Sequence, residues 1–327
     1  MEDLLVVKDL ATQFRTIHGV VRAVDGVSLH VKPNEVLGVV GESGCGKSVT
    51  FRSVLRLIEK PGKIVAGEVH YRGKNLSSLS EAKMQEIRGK EISMIFQQPQ
   101  NTLNPLFSVG KQIGEVFRLH SNYGKREIRE RTLALLKKVG IPDAETKIDA
   151  YPFEMSGGQA QRVMIAMALA FNPGVLIADE PTTALDVTIQ AQILDILMEL
   201  RSSFQTAIIM ITHNMGIIAE TADRVVVMYA GVVVEHADIK ELFENPRHPY
   251  TMGLLKSIPK IGEDRESLHS IPGSVPSLID RRPGCRFADR CPFCMPRCRQ
   301  EEPPLIETGK PGHLSRCWLE VEGQGNE

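Results

Sequence analysis

The feature that most constrains the fold of this chain is a glycine-rich stretch directly after a buried strand. Residues 41–48 follow the almost continuously apolar run Val36–Val40 and precede a stretch with helical periodicity. In such a loop the glycines let successive backbone N–H groups turn inward and surround a phosphate at the N-terminus of the next helix. The pattern predicts a phosphate-binding loop, called the P-loop below, that comprises Gly41, Glu42, Ser43, Gly44, Cys45, Gly46, Lys47, Ser48 and Val49.

Three side chains of the P-loop have a predicted role. Lys47 would reach the β- and γ-phosphates of a nucleotide, and Ser48 would ligate Mg²⁺. Cys45 is expected to be a small filler residue rather than a redox sensor. An ordinary glycine-rich turn is the alternative for the whole loop, and its position between a strand and a helix disfavours that alternative.

Apolar runs that suit parallel strands alternate with helical periodicity along the chain. Residues 175–178, 207–211 and 225–228 resemble Val36–Val40, and helical patterns such as residues 128–139 lie between them. Short alternating runs near the N-terminus predict antiparallel strands instead. We therefore expect an α/β fold, with a doubly wound P-loop NTPase (RecA-like) core and an N-terminal antiparallel β subdomain.

Two segments depart from this alternation. The strand pattern fades between residues 99 and 153, which predicts an inserted helical subdomain at about residues 100–155. Beyond about residue 259 the composition shifts to Pro, Gly, Arg and Cys with little periodicity. We expect an ATPase-type domain over residues 1–258 and a separate cysteine-rich C-terminal appendage over residues 259–327, called the C-terminal segment below.

The composition argues against several classes of protein. The 39 Lys plus Arg residues are balanced by 40 Asp plus Glu residues, so no general basic field exists to attract nucleic acid. The longest apolar runs fall well short of the roughly 20 residues needed to span a bilayer. The acidic start Met1-Glu2-Asp3 shows no secretory signal. The cytosol is therefore the expected compartment, and any membrane contact is expected to be made through a protein partner.

A second apolar strand is followed by two acidic residues. Asp179 and Glu180 come directly after residues 175–178. Asp179 could hold Mg²⁺ through water, and Glu180 could polarise an attacking water molecule as a general base. For this pair taken alone, the solvated end of a strand is an equal alternative.

A third motif resembles the signature motif of the ABC (ATP-binding cassette) ATPases. It has the sequence Ser156-Gly157-Gly158-Gln159 and stands at the start of an apolar helix. The other motifs of that family have candidates in the expected order along the chain, namely Gln97 for the Q-loop, Asp186 for the D-loop and His213 for the switch histidine. On this resemblance the chain is identified as an ABC ATPase.

The resemblance implies a head-to-tail dimer of ATPase subunits. In this family the P-loop of one subunit and the signature motif of the other enclose each ATP, so Ser156 and the N–H groups of Gly157 and Gly158 would bind the γ-phosphate of the partner's ATP. Hydrolysis removes the γ-phosphate that both subunits bind, and the dimer then reopens.

The resemblance also assigns roles around the ATP of the chain's own P-loop. Gln97 and His213 would join Glu180 as catalytic residues, and Gln97 would join Ser48 and Asp179 around Mg²⁺. The residue that stacks on adenine stays open among Phe14, His18 and Arg22.

Three further stretches resemble the ATPase subunits of bacterial dipeptide and oligopeptide importers. They are residues 96–99 with 103–105, residues 182–190 and residues 247–251. The implied partners are two transmembrane permease subunits, a second and different ATPase subunit and an extracytoplasmic solute-binding protein, with the chain at the cytoplasmic face of the plasma membrane. Import of nickel or another metal chelate is the close alternative. An ABC ATPase that acts on nucleic acid or ribosomes is the alternative of another class, and the short insert between Lys47 and Ser156 disfavours it.

Five of the six cysteines lie in the C-terminal segment. In a reducing compartment, such crowding suggests metal binding more than disulfides. Cys285, Cys291, Cys298 and Cys317 resemble the cysteine pattern of the peptide-importer ATPases, which is associated there with an iron–sulfur cluster, so a [4Fe–4S] cluster is the implied cofactor. Zinc is the alternative, because Cys294 forms a short CxxC pair with Cys291. Cys294 is expected not to bind the cluster.

Overall fold

A computed structural model describes residues 2–183, 186–258, 270–279 and 283–323, without the side chains of residues 100, 322 and 323. The chain divides into two compact units. Unit 1 comprises Met1–Val31, Val36–Ser77 and Ile211–Glu327, and unit 2 comprises Lys32–Glu35 and Ser78–Met210. Unit 1 is thus built from both ends of the chain, and unit 2 comes mainly from its middle.

The described residues contain strands of two lengths, long ones near the N-terminus and short ones elsewhere. In chain order they are β1 (Leu5–Thr16), β2 (Gly19–Val31), β3 (Val36–Val40), β4 (Gly62–Tyr71), β5 (Lys74–Asn75), β6 (Ile92–Ile95), β7 (Val175–Asp179), β8 (Ala207–Thr212), β9 (Arg224–Tyr229), β10 (Val232–Asp238), β11 (Ile306–Glu307) and β12 (Leu314–Ser315).

The helices are mostly short. In chain order they are α1 (Lys47–Val54), α2 (Glu81–Ile87), α3 (Pro99–Thr102), α4 (Val109–His120), α5 (Lys125–Lys138), α6 (Ala144–Lys147), α7 (Gly157–Ala168), α8 (Val187–Phe204), α9 (Met215–Thr221), α10 (Ile239–Glu244), α11 (Pro249–Lys256) and α12 (Trp318–Gly323). Three 3₁₀ helices span Pro152–Glu154, Ala288–Arg290 and Pro296–Arg299. Across the part of the chain described here, no helix has the length and apolar character needed to cross a bilayer.

The N-terminal strands of unit 1 form an antiparallel sheet in the order β2-β1-β4-β5. Strands β1 and β2 form one long hairpin, whose register runs from Leu5 opposite Val31 to Thr16 opposite Gly19. The alternating sequence runs at residues 4–7 and 27–31 therefore form the open end of this hairpin. The half nearer the turn, up to Thr16 and Gly19, lies outside those two runs.

The second sheet of unit 1 has the strand order β11-β12-β10-β9-β3. Strands β3 and β9 are parallel, with Leu37 opposite Arg224 and Val40 opposite Val227. All residues of both strands are buried, which explains their nearly continuous apolar sequences, since a parallel strand is covered on both faces. Strand β3 leads directly into the P-loop.

Unit 2 contains strands in the order β8-β7-β6, of which β6 and β7 are parallel from Ile92 opposite Val175 to Ile95 opposite Ala178. The end of β8 belongs to unit 1, because that unit resumes at Ile211. Residues 99–155 are all described and contain α3 to α6 and one 3₁₀ helix but no strand, as the fading strand pattern predicts. The limits 100–155 for a helical subdomain stay a prediction.

The C-terminal segment differs from the separate appendage that its composition suggests. Its described residues belong to unit 1, and β12 pairs with β10 through Glu235 opposite Ser315 and His236 opposite Leu314. Trp318 and Cys298 are buried in a small apolar cluster with Ala288. A segment without periodicity of its own is thus ordered by pairing with a neighbouring strand. The predicted boundary at 258 adjoins residues 259–269, which lie outside the described residues.

Candidate nucleotide site

The P-loop joins β3 to α1 in unit 1, and two of its glycines are required by close backbone neighbours. Gly41 and Gly46 have φ angles of 152° and 103°. A Cβ on Gly41 would lie 2.2 Å from the carbonyl oxygen of Met228, and one on Gly46 would lie 2.3 Å from that of Ala23. Both the φ angles and the contacts exclude a side chain, so only glycine fits these positions.

Lys47 folds back over the loop that carries it. Its buried Nζ donates hydrogen bonds to the carbonyl oxygens of Gly41, at 2.7 Å, and of Glu42, at 3.0 Å. The ammonium group is therefore placed on the loop itself, where a bound phosphate would meet it. Cys45 is fully buried beside it, and burial raises the pKa of the Cys45 thiol. A buried, protonated thiol fits the predicted filler role.

The start of α1 provides further groups for an anion. Gly46 caps this helix in a left-handed conformation, Lys47 is its first residue, and Ser48 and Val49 follow in the first turn. No acidic residue lies in that turn, so the positive end of the helix dipole and the first backbone N–H groups face no carboxylate from the helix itself. The hydroxyl of Ser48 is an oxygen ligand of the kind that Mg²⁺ prefers.

Glu42 has two partners that the sequence does not reveal. Its backbone N–H donates to the hydroxyl of Tyr250 at 2.8 Å. Its carboxylate accepts hydrogen bonds from both terminal nitrogens of Arg290, at 2.6 and 2.9 Å. The second residue of the P-loop is thus bound by α11 and by the C-terminal segment. Neither partner belongs to a motif that sequence reasoning singled out for this site.

In unit 2, Gln97 and Glu180 come together at the end of β7. Nε2 of Gln97 donates to Oε2 of Glu180 at 2.7 Å, and Oγ1 of Thr183 donates to the same oxygen at 2.8 Å. Glu180 has a φ of 48°, which is uncommon for a residue other than glycine. The predicted base is therefore fixed by two side chains, of which sequence reasoning identified Gln97 and missed Thr183.

Asp179, the last residue of β7, is completely buried. The hydrogen bond from Nε2 of Gln97 to Glu180 uses the nitrogen of the amide. The amide oxygen, Oε1, is therefore the atom of Gln97 that could act as a metal ligand. A carboxylate and an amide oxygen suit Mg²⁺ chemically, because this ion prefers oxygen ligands. The donor types in unit 2 therefore fit the predicted magnesium role of Asp179 and Gln97.

The predicted signature motif forms the start of α7. Oγ of Ser156 accepts a hydrogen bond from the backbone N–H of Gln159 at 3.3 Å, and Oε1 of Gln159 accepts one from the N–H of Ser156 at 3.2 Å. This is a reciprocal capping box, which satisfies two N–H groups at the helix start. A Cβ on Gly158 would lie 2.9 Å from Cγ2 of Ile189, so a larger residue there would displace the side chain of Ile189.

Asp186, the predicted D-loop residue, caps α8 by accepting a hydrogen bond from the N–H of Ile189 at 2.9 Å. Together with residues 156–159 it lines an open cleft in unit 2, called the signature cleft below. The cleft is completed by Gly140, Pro142, Arg162, Ile189 and Gln192. Two motifs that are 30 residues apart in sequence thus lie at one surface.

His213 and the candidates for adenine stacking lie in unit 1. His213 follows β8 and is exposed, directly before the Asn214 cap of α9. Phe14, His18 and Arg22 all belong to the β1–β2 hairpin or its turn, and the ring of Phe14 lies against Gly62 of β4. The roles of these residues stay predictions.

Four cysteines of the C-terminal segment line one small pocket, called the thiol pocket below. Its walls include Cys285, Cys291, Cys298 and Cys317 beside Phe287 and Trp318, and they do not include Cys294. Burial raises the pKa of Cys285 to about 12 and that of Cys317 to about 11. All six cysteines lie within the described ranges, and none forms a disulfide.

The predicted metal site is not formed as a site for a single ion. Among the residues that the structure describes, no group of three or more His, Cys, Asp or Glu side chains is arranged to hold one metal ion. In their present arrangement the thiols of Cys285 and Cys317 keep their protons, because burial disfavours the thiolate. The expectation of a metal cofactor therefore rests on the convergence of four cysteines at the thiol pocket and on the resemblance of their spacing to that of the peptide-importer ATPases.

Comparison with protein families gives two matches. Residues 24–183 match the family described as ABC transporter, and residues 234–298 match the family described as oligopeptide/dipeptide transporter, C-terminal region. The chain is 52% identical over 321 residues to a probable peptide ABC transporter ATP-binding protein of Sinorhizobium fredii, which covers 98% of this chain and 96% of that protein. A putative peptide import ATP-binding protein of Brucella melitensis is 50% identical over 96% of this chain and 94% of its own length.

Solved structures give the same fold. An ATP-binding cassette crystallised as a dimer in a post-hydrolysis state with ADP and phosphate matches with a TM-score of 0.65 and 26% identity, over 72% of this chain and 98% of that one. CbiO1 of Clostridium perfringens, part of an ABC transporter complex, matches with a TM-score of 0.62 and 30% identity, over 75% and 92% of the two chains. With about half of its residues shared over nearly its whole length with the first relatives, the chain belongs to the ABC transporter family, as an ABC ATPase that carries the oligopeptide/dipeptide transporter C-terminal region.

Proposed function

We propose that this chain is the ATP-hydrolysing subunit of an importer that couples ATP binding and hydrolysis to the uptake of dipeptides or oligopeptides. The observation that carries this proposal is the match of residues 234–298 to the oligopeptide/dipeptide transporter C-terminal region. A nucleotide site alone would fit any ABC ATPase, whereas this region distinguishes one group of them. The relatives from Sinorhizobium and Brucella, which are described as a probable and a putative peptide-transport ATP-binding protein, agree with it.

In the proposed reaction, water attacks the γ-phosphorus of ATP and its proton passes to Glu180, while the bond from this phosphorus to the β,γ-bridging oxygen breaks and ADP leaves. The hydrogen bonds from Gln97 and Thr183 orient the carboxylate that receives this proton. Lys47 and the N–H groups of the P-loop bind the β- and γ-phosphates, and His213 is the proposed switch residue beside the γ-phosphate. Mg²⁺, held by Ser48, Asp179 and Gln97, would neutralise phosphate charge.

The proposed working form is a head-to-tail pair of ATPase subunits, the second a homologous but different chain. Support comes from the signature cleft, where Ser156 is exposed at the start of α7 and Gly157 and Gly158 follow in its first turn. The N-terminus of a 12-residue helix is suited to an anion. The γ-phosphate of the partner's ATP is the proposed anion, and Asp186 lies at the edge of the same cleft.

The proposed membrane partners are two permease subunits, served by an extracytoplasmic solute-binding protein. The helical region of unit 2 has large exposed apolar side chains, among them Leu106, 78% exposed, and Phe153, 75% exposed. These exposed side chains are the proposed contact surface for the permease subunits on the cytoplasmic side. The chain would then be peripheral at the cytoplasmic face of the plasma membrane.

We further propose a [4Fe–4S] cluster in the thiol pocket. Four cysteines suit the four irons of a cluster, each of which takes one thiolate. Zinc is the alternative, because four thiolates around one centre would also suit that ion. When bound, the cluster would cross-link Cys285, Cys291, Cys298 and Cys317 and stabilise the C-terminal segment.

Metal content tests the cluster. Full-length protein purified anaerobically should contain about four irons per chain. Cys298→Ser should lose the iron, and the matched control Cys294→Ser should keep it, because Cys294 lies outside the lining of the thiol pocket. One zinc per chain, or loss of metal in Cys294→Ser, would contradict the proposal.

Transport tests the function. The chain, its companion ATPase and the permease subunits encoded by neighbouring genes would be reconstituted in vesicles with the solute-binding protein and ATP. We expect uptake of labelled di- or oligopeptide that depends on ATP and disappears with Glu180→Gln. Uptake of labelled nickel instead of peptide would refute the substrate, and uptake that Glu180→Gln leaves intact would refute the role of this chain.

A further inference from the structure

The C-terminal segment contacts the P-loop directly through one buried arginine. Arg290 donates from its two terminal nitrogens to the two carboxylate oxygens of Glu42, and its own side chain is only 5% exposed. Its Nε donates to the carbonyl oxygen of Pro272 at 2.9 Å, and its guanidinium lies 5.7 Å from the ring centre of Tyr229. A planar guanidinium in a two-point pair with a carboxylate fixes orientation as well as distance.

A second arginine reaches the same loop by a longer route. Arg286 binds Asp25 at 2.6 Å and the carbonyl oxygen of Ala230 at 2.5 Å. The next residue, Gly231, donates its N–H to the carbonyl oxygen of Cys45 at 2.9 Å, and it accepts from the N–H of Asp25. Both routes lie in unit 1, so the C-terminal segment reaches the P-loop once directly, through Arg290, and once indirectly, through the residues that Arg286 binds.

Glu42 is an attachment point rather than a phosphate ligand. Its N–H donates to Tyr250 and its carboxylate binds Arg290, so neither group of this residue is left to face an anion. The loop around it contains glycines at 41, 44 and 46, which have little conformational preference of their own. Phosphate binding requires the other backbone N–H groups of the loop to point inward at the same time. The contacts that hold Glu42 from outside the loop therefore determine how often the loop adopts that conformation.

We propose that Arg290 is a positioning residue for the ATP site: by binding Glu42 it holds the P-loop in its phosphate-binding conformation, so that the C-terminal segment sets the affinity for ATP. This inference rests on the proposed role of the P-loop. Preorganisation is the physical reason, because a loop that is already ordered loses less entropy when the nucleotide binds. Arg290 directly precedes Cys291, and Arg286 directly follows Cys285, so the backbone that carries the thiol pocket also carries both contacts.

The test measures the dissociation constant for ATP on the full-length chain, by displacement of a fluorescent ATP analogue. Arg290→Gln should weaken ATP binding by about tenfold, and Arg290→Lys should recover part of the loss because it keeps the charge but not the two-point geometry. Arg299→Gln is the matched control, since Arg299 is 61% exposed in the same segment and pairs with an equally exposed Asp289. It should change the affinity less than about twofold.

A double-mutant cycle separates positioning from a general loss of stability. Glu42→Gln alone should weaken ATP binding like Arg290→Gln, and Arg290→Gln should add less than about twofold in the Glu42→Gln background. Wild-type affinity in Arg290→Gln, or an equal effect of Arg290→Gln in both backgrounds, would overturn the inference. If Arg290→Gln does not fold, Glu42→Gln and Arg290→Lys decide by the same criterion. Failure of the wild-type chain to bind ATP would instead refute the proposed function.

Discussion

The P-loop and the signature motif are both glycine-containing loops at a helix start, but the protein constrains them differently. In the P-loop, Lys47 is buried and Glu42 is bound by Tyr250 and Arg290 from distant parts of the chain. In the signature motif, Ser156 is exposed and pairs with Gln159 in the same helical turn. The difference suggests a division of labour, in which the loop that binds ATP first is preordered and the loop that closes on a partner's ATP stays accessible.

The largest expected effect comes from Glu180→Gln, which leaves both loops intact. Turnover should fall by about 10²- to 10⁴-fold because the general base is lost, while the affinity for ATP stays close to wild type. Steady-state hydrolysis and equilibrium binding measure the two quantities. The control is Glu199→Gln, an exposed glutamate on α8. A turnover within about tenfold of wild type would show that Glu180 is not the base.

Lys47→Ala addresses the preordered side of the comparison. It should weaken ATP binding by about 10- to 100-fold, because a charge-assisted hydrogen bond to phosphate disappears. Equilibrium binding to the single chain suffices for this measurement. Lys74→Ala, an exposed lysine of β5 in the same unit, is the control. An unchanged affinity would break the comparison, since the P-loop would then bind ATP without its buried charge.

Ser156→Ala addresses the accessible side. ATP binding to the single chain should not change, whereas turnover of the assembled ATPase pair should fall by about tenfold, because the hydroxyl proposed to face the partner's γ-phosphate is lost. Ser80→Ala is a matched control: Ser80 also caps a helix of unit 2 with its side chain, so it reproduces the capping loss of about 1 kcal/mol. Weaker ATP binding by the single Ser156→Ala chain would contradict the division of labour.

The smallest expected effect is a dependence of unit 1 on pH. His248 accepts a hydrogen bond from the N–H of Tyr250, the residue whose hydroxyl binds Glu42, and burial lowers the pKa of His248 to about 4. The unfolded state therefore takes up a proton below pH 6.5, before the folded state does. The contribution of His248 to the free energy of unfolding is therefore present above that pH and is lost as the pH falls from 6.5 towards 4.

Between pH 7 and pH 6 the free energy of unfolding should fall by about 0.7 kcal/mol from His248 alone. Denaturant titrations at the two pH values measure it. His248→Asn keeps a helix-capping side chain but has no titrating group, so the difference between the two pH values should shrink by that amount. An unchanged difference would show that His248 does not contribute. The signature motif has no titratable side chain of its own, which sharpens the contrast between the loops.

Much of unit 2 and the two glycine loops could be predicted from sequence, because local physics determines them. Buried parallel strands must be apolar, so residues 36–40 and 175–178 were identifiable, and helical periodicity marked most of α5. The P-loop needs glycine where a Cβ atom would lie within 2.3 Å of a backbone carbonyl oxygen, and this requirement is visible in the sequence as a motif.

The rest could not be predicted because it depends on contacts between distant residues. Glu42 and Arg290 are 248 positions apart, and the sequence around each residue does not indicate that the other is its partner. Strands β11 and β12 are two residues long, too short for alternation to be recognised. Thr183 followed the acidic pair in the sequence, yet only its side-chain direction shows that it binds Glu180.

The construction of unit 1 from both ends of the chain has a consequence for synthesis. Strand β3 and the P-loop leave the ribosome early, whereas β9 pairs with β3 only after residue 224 has been made, and Arg290 follows Glu42 by 248 residues. At about 5–20 residues per second, roughly 12–50 s separate the two members of the pair. Throughout that interval the nascent chain exposes the apolar strand β3, and the P-loop lacks its contact with Arg290. We therefore expect the nascent chain to bind a chaperone. If Arg290 orders the P-loop as proposed, tight ATP binding is expected only in chains whose translation has passed the C-terminal segment.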